Sequence, residues 1–177
     1  MWAFALCIFL LLTPLISYGD DEKPNKLHYI KAAFVYNFAK FVEWPDCNDE
    51  FDADNPITLC IMGKGPIVEA FESLRGKKLH NRSLEIKHVS ALEDVKACQI
   101  LFITDSETKR IKKVIDALSG MHVLTIGDVK EFVDQGGVIE LVMDERKIRF
   151  NINLKAAKKA DLTISSRLLK LAKEIKR

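Results

Sequence analysis

The stretch Gly63-Lys64-Gly65-Pro66 is the first place in this chain where chemistry could sit. It follows an apolar run at 57–62 and opens a helical pattern. That is where an α/β protein can cradle an anion on helix N-terminal amides. The spacing is neither G-x-x-x-x-G-K-[ST] nor G-x-G-x-x-G, because Val68 holds the third position of the latter. Pro66 also removes one of the amides an anion would need. Two readings follow: a tight turn, or a small-ligand site at the carboxyl ends of the strands with Gly63 and Gly65 as contacts. Asp105 and Asp128 end apolar runs, where an α/β enzyme can keep carboxylates, yet both also suit helix caps. Ser165 and Ser166 read as caps too, and no G-x-S-x-G occurs. No acid, base and nucleophile assemble into roles, so the chain reads as a non-enzyme, with a hydrolase or transferase of unrecognised type as the weaker alternative.

Metal chemistry is equally unsupported. His28, His80, His88 and His122 are scattered, with no C-x-x-C and no H-E-x-x-H. Residues 46–56, DCNDEFDADNP, hold five carboxylates, but an EF-hand needs Gly at position 6 and Glu at position 12, and both are missing. A solvated acidic loop is the reading, and no cofactor is implied.

The leading residues set the compartment. Residues 1–19 carry no charge, and Trp2 to Leu12 form an apolar run broken by Pro14. Ser17 and Gly19 place small residues at −3 and −1 of a cut before Asp20, as in a secretory signal peptide. The rival is a membrane anchor, but the run is shorter than the roughly 20 apolar residues a span needs. Cys7 lies away from the cut, which argues against a lipoprotein. Removing 1–19 leaves residues 20–177 as a single α/β domain. Three cysteines remain, Cys47, Cys60 and Cys98, so at most one bridge forms within the chain and one thiol is left over. The net charge is +2 but unevenly spread: residues 20–60 hold 9 acids and 4 bases, residues 145–177 hold 11 bases and 3 acids. A basic tail can mean nucleic acid; export points instead to a solvated face, an acidic protein partner or an anionic surface.

The elements that would position these residues follow from periodicity. From Leu27 to Trp44, the residues Leu27, Ile30, Phe34, Phe38 and Phe41 share one helical stripe, which predicts a core helix ended by Pro45. Asn37 projects toward the apolar side between Phe41 and Trp44, and either ties a loop or touches a ligand. Four strands alternating with helices follow: ITLCIMG, LEIKHV, QILFIT and VLTIGD. QILFIT is the continuous apolar run of a central strand, and the alternation predicts a parallel sheet. Asp128 is expected to cap a short helix ending at Gly136–Gly137. VIELVMDERKIRFNINL reads as a hairpin about Asp144–Arg146, with Asn153 capping the next helix. A last helix is expected from about Ser165, with Leu168, Leu171 and Ile175 on its inner stripe. The fold class is therefore α/β: a mixed, mostly parallel sheet of about six strands, helices on both faces, and a C-terminal β-hairpin plus helices.

YNFAKFVEWP (36–45), ITLCIMG, Cys98 with ILFIT, GGVIELV (136–142), IRFNINL (148–154) and ISSRLLKLA (164–172) together resemble the YfiR family of secreted bacterial proteins. The resemblance implies a periplasmic protein that tends to form a homodimer. It would bind the periplasmic domain of an inner-membrane sensor, such as a YfiN-type diguanylate cyclase, and hold it inactive. An outer-membrane lipoprotein of YfiB type would sequester it, and cyclic-di-GMP output and biofilm formation would follow. The family's stabilising disulfide maps onto Cys60 and Cys98. Simple parallel register would separate these two, so a bulge or another strand order must join them; two buried thiols are the alternative. Cys47 is an extra, exposed cysteine. Charge alone nominates Arg146, Arg149 and Arg167 as partner contacts.

Overall fold

The computed structural model describes residues 23–45 and 55–177. The leading segment, most of the acidic loop and Cys47 lie outside the described residues. Helix α1 (Lys26–Ala39) comes first and is followed by a short strand, β1 (Val42–Glu43). The main sheet begins with β2 (Ile57–Met62), followed by α2 (Ile67–Glu72), β3 (Lys78–Leu79) and β4 (Arg82–Val89). A 3-10 turn (Asp94–Ala97) leads into β5 (Ile100–Ile103); a second (Asp105–Arg110) leads into α3 (Ile111–Ala117) and β6 (Leu124–Gly127). The chain ends with β7 (Ile139–Asp144), β8 (Lys147–Asn153), α4 (Leu154–Lys159), β9 (Thr163–Ile164), α5 (Ser166–Leu169) and β10 (Glu174–Lys176).

Eight strands form one sheet in the order β10-β8-β7-β6-β5-β2-β4-β3. β4, β2, β5, β6 and β7 run parallel. Every residue of β2, β5 and β6 is buried, as a parallel sheet covered on both faces requires. The sequence reading of about six strands misses the two margins, β3 and β10, which have two and three residues and too little length to show alternation. β1 and β9 pair separately and antiparallel.

Two buried clusters flank the sheet, and alternate residues of β2 feed them. Leu59 and Ile61 join Val35, Phe38, Phe71, Phe102 and Phe150 under α1 and α2. Cys60 and Met62 join Leu101, Val114 and Phe132 on the α3 side. The Phe38 and Phe150 rings lie 4.7 Å apart, and Phe71 and Phe102 lie 4.8 Å apart, so α1 and α2 are each pinned to a strand by an aromatic pair.

Several expectations need correction. α1 forms, capped by Asn25, whose Oδ1 accepts from the Leu27 and His28 amides while His28 Nδ1 accepts from the Asn25 amide. Its buried residues, however, are Ala32, Val35, Phe38 and Ala39, so only Phe38 of the expected stripe is fully buried. Small alanines let the helix axis approach its neighbours. Phe34 and Phe41 then flank the seam half-buried, Ile30 is 37% exposed, and Asn37 is exposed rather than turned to the apolar side. Asp128 caps no helix: residues 130–136 are turns, and its carboxylate pairs with Lys31 at 2.8 Å. Nor does a long last helix form. α5 has four residues, and the chain then runs beside β8 as β10, because the Lys173 amide and the strand after it complete the open β8 edge.

Candidate functional site

The parallel strands reverse direction of succession between β2 and β5, since β2 leads outward to β4 and β5 leads the other way to β6. In open α/β sheets that crevice, at the carboxyl ends, is where ligands bind. Gly63 and Gly65 are there, both with φ of 116°. The crevice is already filled by the chain itself. The Lys64 amide donates to Ser106 Oγ at 2.9 Å, and Ser106 Oγ lies 2.8 Å from Thr104 Oγ1. A Cβ at Gly63 would overlap both hydroxyls, so glycine there is needed for the plug as well as for its backbone. His88 Nε2 contacts the Gly63 carbonyl at 2.6 Å. The amide that could cradle an anion is thus spent. Ser106 and Lys109 carry S-x-x-K spacing, which sequence reading overlooked; among the described residues no imidazole or carboxylate hydrogen-bonds to Ser106. Asp105 is exposed in the turn that follows. Asn37 lies on α1, whose C-terminal end reaches the opposite edge of the sheet near β3: Tyr36 donates to the Lys78 carbonyl at 2.6 Å. Asn37 and the two glycines therefore do not form one site.

Cys60 and Cys98 form a disulfide with Cα atoms 5.8 Å apart. Strand register places Cys98 before Ile100, which pairs with Leu59, so in-plane pairing alone would not join them. The 3-10 turn Asp94–Ala97 resolves this. Val95 and Cys98 both lie in the α3-side cluster that Cys60 faces, so the chain enters β5 from above that face. Both cysteines are almost fully buried, at 1% and 3%.

The β7–β8 hairpin projects past its neighbouring strands. Its two-residue turn, Glu145–Arg146, has φ of 45° and 65°, the left-handed pair that a tight hairpin needs. Pairing with β6 stops at Glu140, and pairing with β10 starts at Asn151. Val142–Arg149 therefore stands beyond both neighbouring strands as a two-stranded ribbon. Met143, 52% exposed, pairs across it with Ile148. Leu171, just before β10, is 63% exposed. Asp144 is paired with Lys173 at 3.1 Å. Arg146, Lys147 and Arg149 are exposed and make no ion pair among the described residues. Arg167 is exposed on α5, a separate element tied to the core beneath through Leu168 and Leu169. The structure thus places two of the three arginines on one ribbon and the third on a separate element, α5.

The root of the hairpin is held by buried polar contacts. Glu140 is buried, and its carboxylate accepts from the Glu131 and Val133 amides at 3.2 and 3.3 Å. Burial pushes its carboxyl above the usual range; the two amides pull it back, and the Asp134 and Glu131 carboxylates push it up further. Asn153 donates to the Val133 carbonyl at 2.7 Å and accepts from the Ala156 amide at 2.9 Å. Phe132, fully buried, packs against Gly127 and Gly137 with no room for a Cβ at either. None of this root was legible as a site, because Glu140 reads as one polar residue in an apolar strand. Among the described residues no group of three His, Cys, Asp or Glu could hold a metal, and no helix is long and apolar enough to cross a membrane.

Comparison with known proteins gives a family and a fold. The family described as YfiR/HmsC-like, DUF4154, matches residues 28–173. A conserved domain protein from Vibrio cholerae O1 biovar El Tor superposes with a TM-score of 0.58 at 14% identity, covering 88% of this chain and 61% of that one. The ABC domain in complex with L-Trp from Streptococcus pneumoniae superposes with a TM-score of 0.50 at 12% identity, covering 67% and 55%. This chain therefore spans less than two thirds of either structure. No curated protein matches it.

Proposed function

This chain belongs to the YfiR/HmsC-like family, and on that premise we propose that it is a regulatory binding protein of the periplasm that docks on the outer domain of an inner-membrane sensor. The YfiR-like family is regulatory, and a disulfide suits an oxidising compartment. The single observation that carries the docking reading is the projecting ribbon: Met143 and its cross-strand partner Ile148 on one face, Lys147 and Arg149 on the other, with Arg146 at the turn and none of the three cations ion-paired among the described residues. Arg and Met are enriched at interfaces relative to the rest of a protein surface. The complementary partner surface is acidic where it meets Lys147 and Arg149 and apolar where it meets Met143 on the other face.

A sensor of the YfiN type, a diguanylate cyclase whose output governs biofilm formation, is the partner this reading favours. Binding one state of its outer domain would shift its population toward the inactive form. A YfiB-type lipoprotein would compete for the same ribbon. The rival reading, a small-ligand sensor using Gly63 and Gly65, is weakened because Ser106 takes the Lys64 amide.

The test is recovery of membrane partners from periplasm-facing preparations with Arg146→Glu/Arg149→Glu against the unsubstituted protein. Both side chains are exposed, so the fold should be unaffected. At least about a tenfold loss of recovery is expected, as for charge reversal within an interface. Full recovery removes the ribbon from the docking surface, and Arg167→Glu then asks whether α5 carries it. Light scattering of the same sample reads whether the protein is the expected homodimer.

A further inference from the structure

A cavity of about 250 Å³ lies between α3 and α4, over the start of β6. Its walls include Ile115, Leu118, Met121, Val123, Ala156 and Ala160. Thr125 and Asn153 reach it from the sheet, and Lys155 and Lys159 from α4. What matters is which polar groups are still unspent. Asn153 uses both ends of its amide, on the Val133 carbonyl and the Ala156 amide. Thr125 is 4% exposed, and its Oγ1 accepts from the Val138 amide at 3.0 Å. Its own O–H has no acceptor among the described residues. A buried hydroxyl proton left without an acceptor is unfavourable unless something enters to take it. At the rim Asp116 is matched with Lys112 at 3.5 Å, whereas Lys155 and Lys159 have no carboxylate partner among the described residues. Gln135 can serve either as donor or acceptor. The cavity thus offers apolar walls, one buried donor and two unmatched cations.

We propose that this cavity binds a small carboxylate with an apolar tail, of the size of a medium-chain fatty acid. The exposed Lys155 and Lys159 at the rim outnumber Asp116, so an anionic headgroup is favoured there over an ammonium. The tail takes the place of water against the α3 and α4 side chains. The volume corresponds to roughly eight waters, which limits the ligand to about ten non-hydrogen atoms and makes it smaller than a drug-sized one. The site is independent of the hairpin tip and of any protein partner, although Asn153 belongs to the strand whose other end forms the ribbon.

Octanoate is the probe. Methyl-resolved NMR titration of the purified protein should give saturable shifts at Ile115, Met121 and Val123, with a Kd below about 1 mM. Octylammonium of the same length should bind at least about tenfold more weakly, as should octanoate to Lys155→Ala/Lys159→Ala. Ala156→Leu fills the cavity and should abolish the shifts while leaving the unperturbed spectrum folded. Absence of saturable shifts with octanoate up to about 10 mM overturns the site. Equal binding of octylammonium, or unchanged affinity in the double lysine variant, overturns the carboxylate assignment.

Discussion

Cutting the Cys60–Cys98 bridge should destabilise the protein by an amount fixed mainly by loop length. The bridge joins residues 38 apart in sequence, so it closes most of the path from β2 through β4 to β5. On the chain-entropy account, a closed loop of that length removes about 13 cal/mol/K from the unfolded ensemble, or roughly 4 kcal/mol at 25 °C. Both cysteines are buried; on the chain-entropy account the effect of reduction falls chiefly on the unfolded chain. With a urea slope of about 2 kcal/mol/M for a domain of this size, the midpoint should drop by about 2 M. In a thermal scan the shift should be about 8–16 °C. The assay is urea unfolding of the oxidised protein, the same protein in reductant, and Cys60→Ala/Cys98→Ala, each followed by circular dichroism. The reduced protein and the double variant should unfold close together, and both well below the oxidised form. Coincident curves for oxidised and reduced protein would refute the reasoning, because they would mean that the unfolded chain gains no freedom when the loop opens. A large drop only in the alanine variant would place the effect in side-chain packing instead.

Gly137→Ala puts a methyl group into the Phe132 ring, which is fully buried and cannot withdraw; a loss of about 2–3 kcal/mol in urea unfolding is expected, although Gly137 has no left-handed backbone to strain. Asn153→Ala leaves the Val133 carbonyl and the first turn of α4 without partners, and should cost about 2–4 kcal/mol by the same measurement. For Glu140 the sign is set by burial: the native state holds its proton more tightly than the unfolded chain, so its contribution is fully present below the unfolded carboxyl range and lost as pH rises through the native value. The stability of Glu140→Gln relative to the unsubstituted protein should therefore rise with pH across that window; a constant difference across it would remove burial as the cause.

Much of the fold can be read in the chain itself because it is local. QILFIT, at 99–104, can only be a strand covered on both faces, and β5 is that. The break in rhythm after Gly136–Gly137 and the alternation about Asp144–Arg146 make a hairpin, and Asn153 caps α4 as its position before an alanine-rich run suggests. α1 was legible as a helix but not in its rotation. A helical wheel weights large side chains, whereas close approach favours the small ones, and Ala32 and Ala39 hold the seam.

The candidate site depended more heavily on distant partners. Nothing near Asp128 in sequence announces Lys31, 97 residues away, and nothing near Gly63 announces Ser106. Ile175 fits a helical stripe as well as a strand; the open edge of β8 decides for the strand. The sequence by itself determined where strands, turns and caps begin, which family the chain resembles, and that one pair of its cysteines could bridge. Only the tertiary structure decided that the switch-point crevice is filled, that the 3-10 turn brings Cys98 onto Cys60, and that the basic hairpin extends past its neighbours. The physical reason is that periodicity and turn chemistry act over a few residues, while hydrogen-bond satisfaction and packing are settled by whichever groups the completed sheet brings alongside.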